Sequence, residues 1–236
     1  MIDFIRLKEE ALQFNVVLTD QQCEQFDKYA QLLVEKNKVM NLTGITQPDA
    51  IITRHFADSL SFFNGIEVPQ GAKIIDVGSG AGFPGLALKI ARNDLQITLL
   101  DSTAKRVNFL KEVADALGLE IECLHLRAED GAKMPQYREA FDFATARAVS
   151  EMRVLSEYCL PFVKVGGCFV ALKGKDIDEE LRFAKNSIAT LGGKICDTIT
   201  FNLRDESERN IVLIEKISQT PSKYPRVSAQ IAKKPL

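Results

Sequence analysis

The sequence predicts an α/β protein with a mostly parallel, Rossmann-like sheet, and two observations carry that prediction. From Lys73 onward, short apolar runs alternate with amphipathic helical patterns, which is typical of a parallel sheet covered on both faces. The first run, 74–77, leads directly into four glycines within eight residues, as expected where a buried strand turns sharply into a helix. Five parallel strands and a closing hairpin account for seven strands.

A helical extension is predicted before the sheet, over residues 1–68. Apolar residues recur there at near-helical spacing. The second helix begins with the capping-box pattern Thr19-x-x-Gln22, and a proline suits the first turn of the third. The three helices are expected at 3–14, at 19–38 and from Pro48.

The sheet and its helices are predicted over 69–217. Gly166-Gly167 is expected to turn the preceding helix, 150–164, into the fifth strand. Two further strands, separated by the polar connection 204–209, are expected to form an antiparallel hairpin at a sheet edge. Strands are predicted at 73–77, 96–101, 120–125, 141–146, 168–173, 195–203 and 210–217, and helices at 83–92, 103–117, 150–164 and 176–191.

The C-terminal segment, 218–236, is predicted to be an irregular basic tail. It has three prolines and no periodicity, and from Lys216 to the end there are five basic residues and no acidic one. A basic tail on a chain of net charge −2 fits either a local contact with a polyanion or a solubilising end.

Composition predicts an ordinary globular, cytoplasmic protein that does not cross a membrane. The chain has 236 residues, 46% of them hydrophobic, and its apolar runs are shorter than the ~20 residues of a membrane span. Its N-terminus has early acidic residues and no cleavage site of the secretory type. The five cysteines have no C-x-x-C spacing, so we expect reduced thiols and no metal site.

The glycine turn fits two ligand classes. Gly80-x-Gly82-x-x-Gly85 satisfies the dinucleotide pattern, which would make the protein an oxidoreductase. Asp76-x-Gly78-x-Gly80-x-Gly82 satisfies the pattern of proteins that bind S-adenosyl-L-methionine (AdoMet). Asp76 favours AdoMet, because a carboxylate repels a pyrophosphate but pairs with the ammonium of a methionine group.

Charged residues follow each later strand, at the edge where ligands of open α/β sheets bind. Asp101 is placed to hold ribose hydroxyls, which both NAD and AdoMet carry. Ala128 and Glu129 offer a backbone and a carboxylate for an adenine edge. Arg147 and Lys173 end the fourth and fifth strands.

The fourth strand end constrains the methyl acceptor. It lacks the Pro-Pro-aromatic turn expected for amino-group methylation and the cysteine needed for attack through a ring carbon. An arginine such as Arg147 suits an anion or a guanine edge. Guanine N7 carries a lone pair and no proton, so its methylation needs positioning rather than a general base.

Six motifs then occur in an order that resembles one family, ribosomal RNA small-subunit methyltransferase G, also called glucose-inhibited division protein B. The resemblance runs from about residue 24 to the C-terminus. The motifs are Asn41-Leu42-Thr43, Arg54-His55-x-x-Asp58-Ser59-Leu60, Asp76–Gly85, Leu100-Asp101-Ser102-x-x-Lys105-Arg106, Arg127-Ala128-Glu129 and Thr145-Ala146-Arg147-Ala148-Val149.

The resemblance implies a class I AdoMet methyltransferase fold and methylation of guanine N7 in the decoding-region loop of bacterial 16S rRNA. It implies an AdoMet-dependent enzyme, expected as a monomer, that acts on free rRNA or on the assembling small subunit. A small-molecule AdoMet methyltransferase is the alternative that shares the cofactor site. The implied or expected cofactor ligands are Asp76, Gly78, Gly80, Phe83, Asp101, Ala128, Glu129 and Arg147, and the candidate RNA contacts are Arg54, His55, Lys173, Lys175, Arg226, Lys233 and Lys234.

The tail departs from the family pattern in one stretch. Tyr224-Pro225-Arg226 and 233–236 are kept, whereas Val227, Ala229 and Ile231 replace a basic residue, a glycine and a proline. The charge of the tail still suits contacts with phosphate.

Overall fold

The computed structural model describes residues 1–147 and 150–236, and these residues form a seven-stranded sheet. Its strands are β1 (Lys73–Val77), β2 (Gln96–Asp101), β3 (Glu122–His125), β4 (Phe141–Arg147), β5 (Val163–Lys173), β6 (Gly193–Asn202) and β7 (Glu208–Lys216). Their order is β3-β2-β1-β4-β5-β7-β6, with β1 to β5 parallel and β7 antiparallel to both neighbours. The order reverses between β1 and β4, the point at which such sheets bind ligands.

Helices cover both faces of this sheet. The segment between α3 and α4 is a π-helical turn, Ile52–Ala57, and a 3₁₀ turn, Leu160–Phe162, follows α8. The α-helices are α1 (Phe4–Leu12), α2 (Asp20–Met40), α3 (Pro48–Ile51), α4 (Asp58–Leu60), α5 (Gly85–Ala91), α6 (Ala104–Leu117), α7 (Ala128–Gly131), α8 (Met152–Cys159), α9 (Asp178–Thr190) and α10 (Ser228–Lys233).

The predicted fold class is confirmed, including the helical N-terminal segment and the edge hairpin. The capping box of α2 forms as expected: the Gln22 N–H donates to Thr19 Oγ1 at 3.2 Å, and the Thr19 N–H donates to Gln22 Oε1 at 2.9 Å. β1 and β2 have the predicted bounds because all but their first residues are buried, which makes their apolar runs easy to recognise.

Gly166 and Gly167 do not turn a helix into a strand, and this prediction is wrong. Both lie inside β5, which begins at Val163, and the pairing register with β4 shifts there. Gly166 has φ of +86°, and a Cβ on Gly167 would lie 2.5 Å from the Asp142 carbonyl oxygen. The glycines therefore form a bulge within the strand, where a side chain does not fit.

The tail is more ordered than predicted, because it contains α10. Ile231 is fully buried and anchors this short helix, although it stands where the family pattern has proline. Ala148 and Val149, which end the last family motif, lie outside the described residues.

Two apolar clusters cover the faces of the sheet. On one face, residues of α1 and α2 share a cluster with α5, α6 and the first strands, including Leu7, Phe26 and Leu86. On the other, α8 and α9 pack with the tail through Tyr224. The helical extension thus shares its core with the sheet, and the division at residues 68 and 217 stays a prediction.

Lys216, the last residue of β7, joins the hairpin to the tail from within the core, because its Nζ donates to Thr220 Oγ1 at 2.8 Å. Its side chain is fully buried, its Nζ donates to the carbonyl oxygens of Leu160 (2.7 Å) and Val163 (3.2 Å), and it lies 3.1 Å from Glu139 Oε1. Burial lowers the pKa of this ammonium.

We expect Lys216→Met to lower the free energy of unfolding by roughly 3 kcal/mol, because it leaves Glu139 without its cation and buried carbonyls without a donor. Urea unfolding measures the change. Lys194→Met, on the exposed side of β6, is the control and should change the free energy by less than about 0.5 kcal/mol. If the two substitutions lowered the free energy of unfolding equally, the stabilising role of the buried Lys216 contacts would be contradicted.

Candidate functional site

Three adjoining clefts lie at the carboxyl edge of the sheet. The turn cleft, of about 390 Å³, is lined by Gly78–Ala81, Phe83 and Asp101. The adenine-side cleft, of about 150 Å³, is lined by Ala128 and Glu129. The arginine cleft has a volume of about 430 Å³ and is lined by Arg54, His55, Asp58, Arg147, Leu172, Lys173, Gly174 and Arg209.

Shared residues connect these clefts in a row. Gly78 and Ser102 line both the turn cleft and the adenine-side cleft. His55 and Arg147 line both the turn cleft and the arginine cleft. A ligand along the first two clefts would therefore end beside His55 and Arg147, and a second ligand in the arginine cleft would meet it there.

Backbone hydrogen bonds hold the glycine turn open toward the cleft. The Gly78 N–H donates to the Leu100 carbonyl oxygen at 2.8 Å, and the Gly80 N–H donates to Asp101 Oδ2 at 3.0 Å. At Gly82 φ is +102°, and a Cβ there would lie 2.6 Å from Tyr29 Oη. The close approach of α2 thus requires glycine at this position.

Asp101 lies at the floor of the turn cleft and is almost fully buried. Its Oδ1 accepts from the Thr103 N–H at 2.8 Å, and Arg106 Nη1 lies 3.5 Å from Oδ2. A carboxylate has about four acceptor sites. Asp101 can therefore support the turn and still accept hydrogen bonds from ligand hydroxyls.

Asp76 lies behind the turn and does not line the cleft. It is fully buried, and its Oδ2 accepts from the Gly85 N–H at 2.9 Å. Its Oδ1 has no hydrogen-bond partner among the described residues, and burial raises the pKa of this carboxyl to about 7. The structure thus gives Asp76 a role at the start of α5, and its contact with a ligand ammonium stays a prediction.

Aromatic and cationic groups stack at the junction of the turn and arginine clefts. The Phe83 ring lies parallel to the His55 ring at 4.4 Å between centroids, and the Arg147 guanidinium carbon is 4.8 Å from the Phe83 centroid. Tyr29, from α2, also stacks on Phe83, at 5.2 Å between ring centroids. Its hydroxyl donates to the Ala81 carbonyl oxygen at 2.6 Å.

His55 is a neutral member of this stack. Burial and the charge of Arg147 lower its pKa to about 3. Arg147 Nη2 lies 3.2 Å from His55 Nδ1, and Thr43 Oγ1 lies 2.8 Å from Nε2. Because the guanidinium can only donate, Nδ1 accepts and the proton resides on Nε2. With Nδ1 occupied by Arg147 and Nε2 protonated, His55 has no free ring nitrogen to act as a general base.

Asp58 holds two arginines of the arginine cleft together. Its Oδ2 accepts from Arg147 Nη1 at 2.9 Å, and its Oδ1 accepts from Arg209 Nε at 3.0 Å. Arg147 Nη1 also lies within 3.3 Å of the carbonyl oxygens of Arg54 and His55. This carboxylate thus fixes a cationic pair from two distant parts of the chain.

Of the other RNA candidates, Arg54 and Lys173 line the arginine cleft, and each forms an internal ion pair there. Lys173 pairs with Glu180 at 2.7 Å and donates to the Ser150 carbonyl oxygen, while Arg54 pairs with Asp205 at 2.6 Å. Lys175, Lys233 and Lys234 are exposed and do not line the arginine cleft.

Arg226, expected to contact RNA, is an internal residue of the tail. Its Nη2 and Nε donate to the carboxylate of the fully buried Glu157, at 2.6 and 2.9 Å. Its Nη1 donates to the Lys234 carbonyl oxygen at 3.0 Å. Three of its five N–H donors are held inside the protein, so Arg226 stabilises the tail, and its contact with RNA stays a prediction.

Four residues of the site were not predicted from the sequence. Tyr29 lies within an ordinary apolar helix stripe, and Arg209 within a polar connection, so neither position carries a signal. Thr43 and Asp58 belong to family motifs, which were their one available signal. Among the described residues no cluster of three or more potential metal ligands occurs, and no helix is both long and apolar enough to span a bilayer.

Comparisons with known proteins identify relatives over nearly the whole chain. The family model described as "rRNA small subunit methyltransferase G" matches residues 22–212. A relative named "Ribosomal RNA small subunit methyltransferase G" from Brevibacillus brevis is 51% identical over 223 residues, which are 94% of each chain. One of the same name from Desulforamulus reducens is 45% identical over 234 residues, 98% of each chain.

A solved structure supports the fold. The chain is similar to a SAM-dependent methyltransferase from Aquifex aeolicus with a TM-score of 0.51 and 18% identity, over 73% of this chain and 96% of the other. At that identity the similarity concerns the fold alone.

The raised pKa of Asp76 predicts a pH dependence of stability without ligand. The folded carboxyl has a pKa of about 7, while the unfolded one titrates near 3.8. The folded state therefore binds the extra proton between these values, and stability falls as pH rises through that window. Relative to Asp76→Asn, wild-type protein should lose roughly 1 kcal/mol of unfolding free energy per pH unit from pH 5 to 7. Urea unfolding at several pH values measures the difference, and parallel curves would contradict the prediction.

Proposed function

The chain belongs to the ribosomal RNA small subunit methyltransferase G family, and we propose that it methylates N7 of a guanine in the decoding-region loop of bacterial 16S rRNA. It is an rRNA methyltransferase, and AdoMet is its cofactor. The observation that carries the finer proposal is the junction at His55 and Arg147, where the turn cleft meets a cleft lined by three arginines and a lysine. Methyl donor and RNA can meet at that junction.

The residues of the first two clefts fit AdoMet. The turn cleft, with Gly78, Gly80 and Phe83, would hold the methionine end, and Asp101 the ribose hydroxyls. Ala128 and Glu129 would hold the adenine. When bound there, AdoMet supplies an electrophilic methyl group on a sulfonium. The stack of His55, Phe83 and Tyr29 would exclude water from that end of the site once the cofactor is bound.

The chemistry of the junction favours an acceptor that carries no proton. Among the described residues, the junction presents no free proton acceptor, because Asp58 binds Arg147 and Arg209, and the unprotonated Nδ1 of His55 accepts from Arg147. Guanine N7 attacks through its lone pair and releases no proton, so positioning supplies the acceleration. We assign positioning roles to Arg147 and Lys173.

The arginine cleft suits an RNA substrate more than a small neutral molecule. Arg54, Lys173 and Arg209 line it together with Arg147, and cations so arranged bind phosphate oxygens. Exposed Lys175, Lys233 and Lys234 would extend the contact. We further propose that the protein acts as a monomer in the cytoplasm, on free 16S rRNA or on the assembling small subunit.

The direct test is label transfer from methyl-tritiated AdoMet to 16S rRNA that lacks the modification. We expect incorporation near one methyl group per RNA, and strand cleavage at that site after borohydride and aniline treatment, which reports N7-methylguanine. Both naked RNA and small subunits should be assayed. Incorporation without cleavage would contradict the N7 assignment, and no incorporation into either substrate would contradict the RNA assignment.

Arg147→Ala should lower kcat/KM for RNA methylation roughly 100-fold, because the stack and the orientation of Asp58 are lost together. The matched control is Arg182→Ala, since Arg182 is exposed on α9 and stacks only on the exposed Phe183. Single-turnover kinetics with saturating AdoMet measure the effect. An Arg147→Ala enzyme as active as the control would contradict the positioning role.

A further inference from the structure

We propose that the C-terminal tail positions Glu129 to recognise the exocyclic amine of adenine, through the backbone N–H of Ser228. The inference rests on the cofactor site proposed above and is independent of the RNA substrate. It assigns to the tail a role in cofactor recognition, in addition to any contact with RNA.

A hydrogen bond joins the tail to the adenine-side cleft. The Ser228 N–H donates to Glu129 Oε1 at 3.2 Å, and both residues line the adenine-side cleft. Glu129 Oε2 accepts no hydrogen bond from the described residues, and this oxygen is accessible to solvent. One oxygen is thus anchored and the other remains available to a ligand.

Two contacts with α8 fix the register of the tail. Arg226 binds the buried carboxylate of Glu157 with its guanidinium and also with its backbone N–H, at 2.8 Å from Oε1. Two residues later, Ser228 Oγ lies 3.0 Å from Tyr158 Oη, next to Glu157 on α8. Glu157 and Tyr158 are consecutive residues of α8, so the two contacts fix the tail in one register. In that register the Ser228 N–H lies at Glu129.

The available oxygen, Glu129 Oε2, can distinguish adenine from hypoxanthine. The adenine exocyclic amine has N–H donors, whereas hypoxanthine has a carbonyl oxygen at the same place. An anchored carboxylate accepts from the amine but faces the carbonyl with no proton between them. A carboxylate held in this way favours adenine over hypoxanthine, because hypoxanthine leaves the carboxylate oxygen unpaired.

The backbone origin of the donor also explains a departure in the sequence. Val227 and Ala229 flank Ser228 where the family pattern has a basic residue and a glycine. Every residue except proline has a backbone N–H, so the contact of Ser228 with Glu129 does not depend on the side chains at 227 and 229.

Proline can remove this N–H with little other change. Ser228 is the first residue of α10, a position that tolerates proline, and Val227 has φ of −70° and ψ of 146°, which suits a residue before proline. Ser228→Pro thus deletes the donor to Glu129. The matched control, Ser228→Ala, keeps the N–H and removes only the hydroxyl contact with Tyr158.

The experiment is calorimetric titration of the full-length wild-type and variant proteins with S-adenosylhomocysteine and with S-inosylhomocysteine. Wild-type protein and Ser228→Ala should prefer the adenine ligand by about 10-fold or more, and Ser228→Pro should lose most of that preference. A purely structural role of the tail would weaken both ligands equally and leave their ratio unchanged, which would overturn the inference.

Two further outcomes separate the sources of failure. If wild-type protein binds both ligands equally, the assignment of Glu129 to adenine fails, and the tail inference fails with it. If Ser228→Pro does not fold, Arg226→Lys provides the second variant, because it keeps the charge opposite Glu157 but loses the bidentate contact. It should lower the ligand preference in the same direction, and an unchanged ratio would overturn the inference.

Discussion

The turn cleft and the arginine cleft both depend on the contacts of one group, the Arg147 guanidinium. It extends from the end of β4, at the point where the strand order reverses, and binds Asp58 and the carbonyl oxygens of the π-helical turn. It also donates to His55 and covers Phe83. A planar group with several donors can satisfy all these partners at once, which a lysine cannot. The N-terminal helices are thereby oriented against the glycine turn.

This arrangement makes the helical extension part of the site. Tyr29, from α2, donates to the Ala81 carbonyl oxygen inside the glycine turn, and His55 forms one wall of two clefts. Leu7 and Phe26 are buried in the same apolar cluster as residues of α5 and α6. The extension therefore shapes the cofactor turn directly, and loosening its packing would change the turn as well.

Local patterns predicted the parts of the structure that local forces determine. The bounds of β1 and β2 and the capping box at Thr19 follow from apolar runs and short-range hydrogen bonds. Long-range contacts decided the rest. The bulge at Gly166-Gly167 depends on the pairing of β5 with β4, and Arg209 meets Asp58 across 151 positions of the chain. Neither contact leaves a periodic signal in the sequence.

Internal ion pairs limit what basic residues reveal about RNA binding. Arg226 and Lys216 contribute two of the five positive charges from Lys216 to Leu236, yet both are bound inside the protein, by Glu157 and Glu139. Internal acceptors hold three of the five N–H donors of Arg226, which leaves only two for a phosphate. Whether a cation serves the ligand or the fold is therefore set by the acceptors around it, which only the folded chain brings together.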